Sequence, residues 1–225
     1  MLTHANILYQ LQVVPILIGI SSKDRILSIL PVWHIFERFM LYCVIYSGAC
    51  YYYSSTKDLM EDFIRVKPTL MASAPRLWEQ IYQKLHERIE KTENLNRELF
   101  EISYNIKHQL HKATNELTGN NFLTQPLSWW QELWQKGKAL FTLASLKLAD
   151  MYLDPIFLMR VRAMLGGELR GTISGGGALP LHIDEFFNAI GIPVYEGYGM
   201  TETSPVISLR QRGRVIEGSV GFCLP

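Results

Sequence analysis

The chain has 225 residues, enough for one large domain or two small ones with a core of ordinary size. Hydrophobic residues make up 48% and charged residues 19%, and 22 Lys and Arg against 21 Asp and Glu leave a net charge of +1, which excludes a disordered chain and a basic nucleic-acid binder. Three cysteines, Cys43, Cys50 and Cys223, form no CxxC pair, so a structural zinc site and a secreted disulfide framework are both unexpected, and a reducing, cytoplasmic setting is the natural reading.

From the start of the chain, short apolar runs alternate with helical patterns. Helices are expected over 3–17 (despite Pro15), 34–47 and 57–65, and strands over 25–30, 49–53 and 69–73. This βαβ alternation argues a parallel sheet covered by helices. From 75 to 165 long charged helical periodicity takes over, with Leu77, Ile81, Leu85 and Ile89 at i, i+4 spacing. The alternation then returns as a strand over 171–174, a helix over 181–190 and strands over 193–196 and 206–209. The fold class is therefore α/β, with segments 1–74 and 166–225 belonging to sheet lobes and 75–165 forming a helical insertion.

The longest apolar run, 39–53, is interrupted by Ser47 and Gly48 and falls short of the roughly 18 to 20 residues that cross a bilayer. No basic region leads into an apolar core after Met1, so no signal peptide is read. The amphipathic pattern starts at once, and the end, Gly218 to Pro225, stops in a turn-rich segment, so the chain reads as a central slice of something longer.

Two segments carry chemistry. Ser174-Gly175-Gly176-Gly177-Ala178-Leu179-Pro180 lies between a strand and a helix, where glycines let the backbone approach a flat or charged ligand and the helix start offers free N–H groups. It matches neither GxGxxG nor GxxxxGK[ST], and an ordinary Gly-rich turn has the same composition. Glu196-Gly197-Tyr198-Gly199-Met200-Thr201-Glu202-Thr203 begins where a short strand is expected to end, the position at which open α/β sheets gather ligands. There Tyr198 can stack on a base, Thr201 can donate to a phosphate, and Glu202 can hold a hard cation such as Mg2+. A polar turn is the plain alternative.

Taken together and in order, these segments resemble the adenylate-forming superfamily of acyl-CoA synthetases, luciferases and peptide-synthetase adenylation domains. Leu2-Thr-His-Ala-Asn6 resembles the segment after that family's phosphate loop, Leu30-Pro-Val-Trp-His-Ile-Phe-Glu-Arg38 its acyl-pocket motif, and Gly218-Ser-Val-Gly221 the strand beyond its nucleotide. His34-x-x-Glu37-Arg38, Pro75-Arg-Leu-Trp-Glu79 and the helical insert are most similar to bacterial long-chain fatty-acid–CoA ligases. The family usually reads Gly-Gly-Ala-Pro where this chain has Gly175-Gly-Gly-Ala178.

The resemblance implies a fragment of the large N-terminal domain of such a ligase, inactive on its own, with the phosphate loop upstream and the ribose-binding Asp, hinge and small C-terminal domain downstream. It implies ATP, Mg2+ and coenzyme A beside a long-chain fatty acid, with no nucleic acid. Gly175, Gly176, Gly177, Ala178, Glu196, Gly197, Tyr198, Gly199 and Thr201 would meet the nucleotide, Glu202 the metal, and His34, Thr201 and Glu202 the reacting groups. Alternatives are an acyl-[acyl-carrier-protein] ligase and a non-catalytic nucleotide-binding remnant.

Other residues carry two readings. His34, beside Trp33, Ile35 and Phe36, suits either a carboxylate-steering imidazole or a buried core histidine. His108 and His111, at i, i+3, suit a metal pair or, better, an exposed helical face. Cys43 and Cys50 read as small buried hydrophobes. Trp129, Trp130 and Trp134 in the insert mark either core or a contact patch, such as a peripheral membrane contact at the inner face of a membrane.

Overall fold

The computed structural model describes residues 2–121 and 127–225. Helix α1 (His4–Ile18) begins where the Thr3 side chain accepts from the Asn6 N–H while Asn6 returns a bond to the Thr3 N–H, and it stops at Gly19 in the left-handed region. It is followed by β1 (Arg25–Ser28), α2 (Ile35–Ser47), β2 (Cys50–Tyr53), α3 (Leu59–Val66) and β3 (Leu70–Ser73). The middle of the chain is helical: α4 (Pro75–Glu90), α5 (Asn94–Thr118), α6 (Trp129–Leu153), a π-helical stretch Asp154–Leu158 and α7 (Met159–Met164). After these come β4 (Gly171–Ser174), α8 (Leu181–Ala189), β5 (Val194–Gly199), β6 (Val206–Leu209) and β7 (Phe222–Cys223).

The seven strands form one sheet in the order β2-β1-β3-β4-β5-β6-β7. The first five run parallel, as the βαβ alternation requires, but β6 and β7 return antiparallel on β5. Side-chain alternation sorts the two faces. Ile26, Leu70, Ala72, Ile173 and Tyr195 turn to α1 and α2, whereas Leu27, Met71 and Val194 turn to α3, α4, α7 and α8. Trp78, Ile81 and Leu85 of α4 and Val161 of α7 join this second cluster, so both ends of the helical middle share the core of the sheet. Phe100 of α5 joins it as well and α5 packs on α8, whereas α6 places no residue in either cluster and packs along α5.

Several expectations change. Cys43 is buried as read, but Cys50 starts the edge strand β2 and is exposed, because no strand covers that side among the described residues. His108 and His111 do not face open solvent. They are half-buried against α8 and the turn after β6, with His111 Nε2 at 2.9 Å from Glu217. Among the described residues, no cluster of His, Cys, Asp or Glu is suited to a metal by protein ligands alone. Trp129, Trp130 and Trp134 join no core, being 63%, 64% and 77% exposed.

Two ionic networks lock the sheet at its opposite ends. At the amino ends of β1, β3 and β4, Asp24 accepts from Arg170 Nε at 2.9 Å, Thr69 Oγ1 at 2.7 Å and the Ser21 N–H at 2.8 Å. Toward the carboxyl ends, Arg210 is fully buried, donating to Asp184 Oδ1 at 2.8 Å and Glu196 Oε2 at 2.7 Å. It also donates to the carbonyls of Val194 and Ser219. The two carboxylates pass the constraint on, for Glu196 Oε1 accepts the Leu179 N–H at 3.1 Å and Asp184 Oδ2 the Gly218 N–H at 3.1 Å.

Replacing Arg210 by Ala would strand two buried carboxylates, a change that costs about 3–5 kcal/mol. Urea denaturation of Arg210→Ala is expected to show a loss of that order, and a loss below about 1 kcal/mol, the scale of an exposed pair, would mean the triad is not what holds these strands. Asp24 gives a pH signature. Burial pushes its carboxyl up, but the bonds from Arg170, Thr69 and Ser21 outweigh this and hold it down at about 2. With the folded value below the unfolded one of roughly 3.9, its contribution is present above about pH 4 and is lost as pH falls toward 2. Thermal melts between neutral and acid pH should show this step in the parent and a shallower one in Asp24→Asn.

Candidate functional site

The loops after β1, β4 and β5 meet at the carboxyl edge of the sheet around a cavity of about 320 Å³. Its first wall is apolar: Val14 and Ile18 come from α1, and Phe36, Phe39 and Met40 from α2. The second is largely backbone, formed by Ser174 to Gly176 and Gly197 to Glu202, with His34 at the rim. Among the described residues, no Lys or Arg lines it.

His34 is exposed and caps α2, its Nδ1 accepting the Phe36 N–H at 3.3 Å. The core reading of this residue is therefore excluded. With Nδ1 engaged as acceptor, the proton of the neutral ring sits on Nε2, leaving a donor for a ligand oxygen. Trp33, expected to flank it in an apolar setting, is 81% exposed and lines nothing in the cavity. Three residues on, Glu37 is buried and accepts from the hydroxyls of Ser28 and Tyr51, tying the first turn of α2 to β1 and β2. Burial pushes the Glu37 carboxyl above its ordinary value, and the Ser28 and Tyr51 bonds only partly counter this.

The glycine loop leaves β4 at Ser174, and the Gly175 N–H bonds back to the Ser73 carbonyl at 3.3 Å. Gly175 and Gly176 line the cavity, with Gly176 in the left-handed region at φ +83°, where other residues are strained. Gly177 and Ala178 continue the same loop but do not line the cavity. Glu196 does not either: expected to meet a ligand, its carboxylate is instead consumed by Arg210 and the Leu179 N–H behind the site. Burial, with Asp184 adding to it, pushes this carboxyl up against the opposing effects of Leu179 and Arg210.

Gly197, Tyr198 and Gly199 are strand, not turn, since β5 continues past Glu196 to pair antiparallel with β6. A side chain at Gly199 would place its Cβ 1.9 Å from the Pro205 carbonyl oxygen, so only glycine permits this approach. Tyr198, Thr201 and Glu202 all line the cavity, and all three are exposed to it. Gln10, absent from the sequence reading, holds this segment from α1. Its amide donates to the Thr203 and Val206 carbonyls at 2.9 and 2.7 Å and accepts the Val206 N–H at 3.1 Å, as a neighbouring strand would. A buried amide within an apolar helix was the available signal for it.

The site thus offers a greasy wall that includes Phe36 and Phe39, a glycine-lined backbone surface, the Tyr198 ring, the His34 imidazole and the Glu202 carboxylate. Mg2+ fits such a set, since it takes one or two carboxylates and completes its sphere from substrate phosphates and water. Glu202 is the carboxylate in place.

Comparison with known proteins gives the family and the fold. The chain is 33% identical over 98% of its length to a probable acyl-activating enzyme 16, chloroplastic, of Arabidopsis thaliana. It is 31% identical to the long-chain-fatty-acid–[acyl-carrier-protein] ligase AEE15, chloroplastic, of the same plant, and 25% identical over 92% of its length to the long-chain-fatty-acid–CoA ligase FadD15 of Mycobacterium bovis. It spans only 31%, 30% and 30% of the lengths of these three relatives. In fold it is similar to o-succinylbenzoate coenzyme A synthetase of Bacillus subtilis in complex with ATP and magnesium ion, with 18% identity and a TM-score of 0.54 over 99% of this chain and 32% of that one. The profile of the family described as AMP-binding enzyme matches residues 1–225, and the chain belongs to that family.

Proposed function

We propose that the chain is the central part of an ATP-dependent acid–thiol ligase acting on long-chain fatty acids. The observation that carries this reading is one cavity whose two walls differ, apolar helices α1 and α2 on one side and glycine-rich backbone with Tyr198 and Glu202 on the other. An alkyl chain lying on the first wall gains about 0.8 kcal/mol per buried CH2, while the second wall suits a flat base and phosphate oxygens.

In this reading a carboxylate oxygen of the fatty acid attacks the α-phosphorus of ATP. The bond to pyrophosphate breaks, and an acyl-adenylate remains. The thiol of coenzyme A then attacks the acyl carbonyl and loses its proton, and AMP departs with the electrons of the broken C–O bond. Tyr198 stacks on the adenine, the backbone of Gly175 and Gly176 admits it closely, and the Thr201 hydroxyl donates to a phosphate oxygen. His34 steers the carboxylate through Nε2. Mg2+, held by Glu202, supplies charge neutralisation at the phosphates when bound. Glu196 acts from behind, keeping the Leu179 turn in place.

A second acceptor is favoured by one relative, the acyl-carrier-protein ligase that is 31% identical. The same adenylation would then deliver the acyl group to a protein-borne thiol. Offering the full-length protein coenzyme A or a phosphopantetheine-bearing carrier, and following acyl transfer to each, separates the two.

Activity tests call for the full-length protein, because among the described residues no cationic side chain lines the cavity to meet the phosphates; the 225-residue chain serves as the blank. Glu202→Gln is expected to keep the fold and lower fatty-acid-dependent ATP–pyrophosphate exchange by about a hundredfold or more, since a neutral amide holds a hard cation poorly. Exchange retained within about tenfold, or ~1.4 kcal/mol in barrier, would remove Glu202 from the metal site. His34→Ala and Tyr198→Ala should divide the cavity. The first is expected to raise the fatty-acid requirement while nucleotide binding by calorimetry persists, and the second to weaken nucleotide binding first. Equal loss of nucleotide binding in both would reduce His34 to its capping of α2.

A further inference from the structure

Helix α6 (Trp129–Leu153) is apolar on two sides, and the structure uses only one. Positions 139, 143, 146 and 150 share the side turned to α5, where Ala139 is buried and Asp150 meets Lys107 at 3.0 Å. The opposite side carries Trp130, Trp134, Phe141, Leu148 and Tyr152 at helical spacing, between 64% and 77% exposed. Leu133, Leu140 and Met151 widen this stripe, and all three are exposed. A helix of 25 residues is roughly 37 Å long, so this is a continuous greasy strip rather than scattered surface residues.

Charge surrounds the strip in a particular way. By the same helical spacing, Lys136 and Lys147 border one flank and Lys138 the other, and all are exposed. The acidic residues of the helix lie off the strip, on the α5 side: Glu132 pairs with Lys136, and Asp150 meets Lys107 at 3.0 Å and Lys147 at 4.0 Å. Both carboxylates sit on the α5 side of the lysines, so the rim next to the strip itself presents only cations. No helix among the described residues is long and apolar enough to cross a bilayer.

We propose that the exposed face of α6 docks on an anionic lipid surface, with the helix lying in the plane of the interface. Apolar and indole groups enter the headgroup boundary, where tryptophan and tyrosine favour the interface, while the bordering lysines meet lipid phosphates. The proposal does not depend on the ligase reading, and its test uses no substrate.

The test is co-sedimentation of the 225-residue chain with vesicles of phosphatidylcholine plus phosphatidylglycerol, and with phosphatidylcholine alone. Binding is expected on the anionic vesicles, weakening as salt is raised. The triple change W130Q, W134Q and F141Q, all at exposed positions, should lower the partition coefficient at least tenfold, with helicity and melting temperature unchanged. The pair K138E and K147E should abolish the preference for phosphatidylglycerol. Should the triple variant fail to fold, quenching of tryptophan fluorescence in the unaltered chain by brominated lipid replaces it, and absence of quenching counts against the proposal. Failure to bind either vesicle, or binding unaffected by both sets of changes, overturns it. So does concentration-dependent dimerisation removed by the triple change without vesicle binding, which would give the face to a second copy.

Discussion

A guanidinium with no exposure to water governs the end of the sheet where the site lies. Burying Arg210 incurs a large desolvation penalty that only good geometry can offset, and here two carboxylates and two carbonyls supply it. Asp184 and Glu196 each have an oxygen to spare, directed at the N–H groups of Gly218 and Leu179. One cation therefore sets the positions of α8, β5, β6 and two turns at once. An apolar side chain of equal volume could fill the space, but it could not aim two acceptors at two backbone donors.

This arrangement holds the loops from behind and leaves their cavity faces free. Glu196 belongs wholly to the support, whereas Tyr198 and Glu202, a few residues along the same segment, face the cavity. Gln10 and Glu37 support from the other side, the first bonding the segment after β5 to α1 and the second bonding the start of α2 to β1 and β2. Each is a buried polar group whose bonds run to other elements of the fold, which explains the presence of such residues on otherwise apolar helices. Asp24 with Arg170 and Thr69 performs the matching task at the far end of the strands.

The helical middle of the chain divides by what it touches. Trp78, Ile81 and Leu85 complete the core on one face of the sheet, and Trp78 sets its ring edge against Phe187 of α8. Beyond them α5 and α6 form a pair whose mutual contact consumes one side of each helix. What remains on α6 is the tryptophan-rich strip, so the same stretch of chain supplies both core and surface.

Hydrophobic period and turn chemistry in the sequence determined the α/β class and the order of elements, and the strands over 171–174 and 206–209 follow directly from it. Those patterns are local, since a strand or helix face shows within a few residues. The ordered glycine, Tyr198 and Glu202 segments likewise identified the family. Tertiary structure alone decided the rest. The strand extends through Gly199 only because β6 pairs with it, Glu196 turns inward only because Arg210 arrives from β6, and Cys50 is exposed only because β2 lies at an edge. Each outcome depends on a partner distant in sequence or absent from the sheet, and one-dimensional spacing carries no record of either.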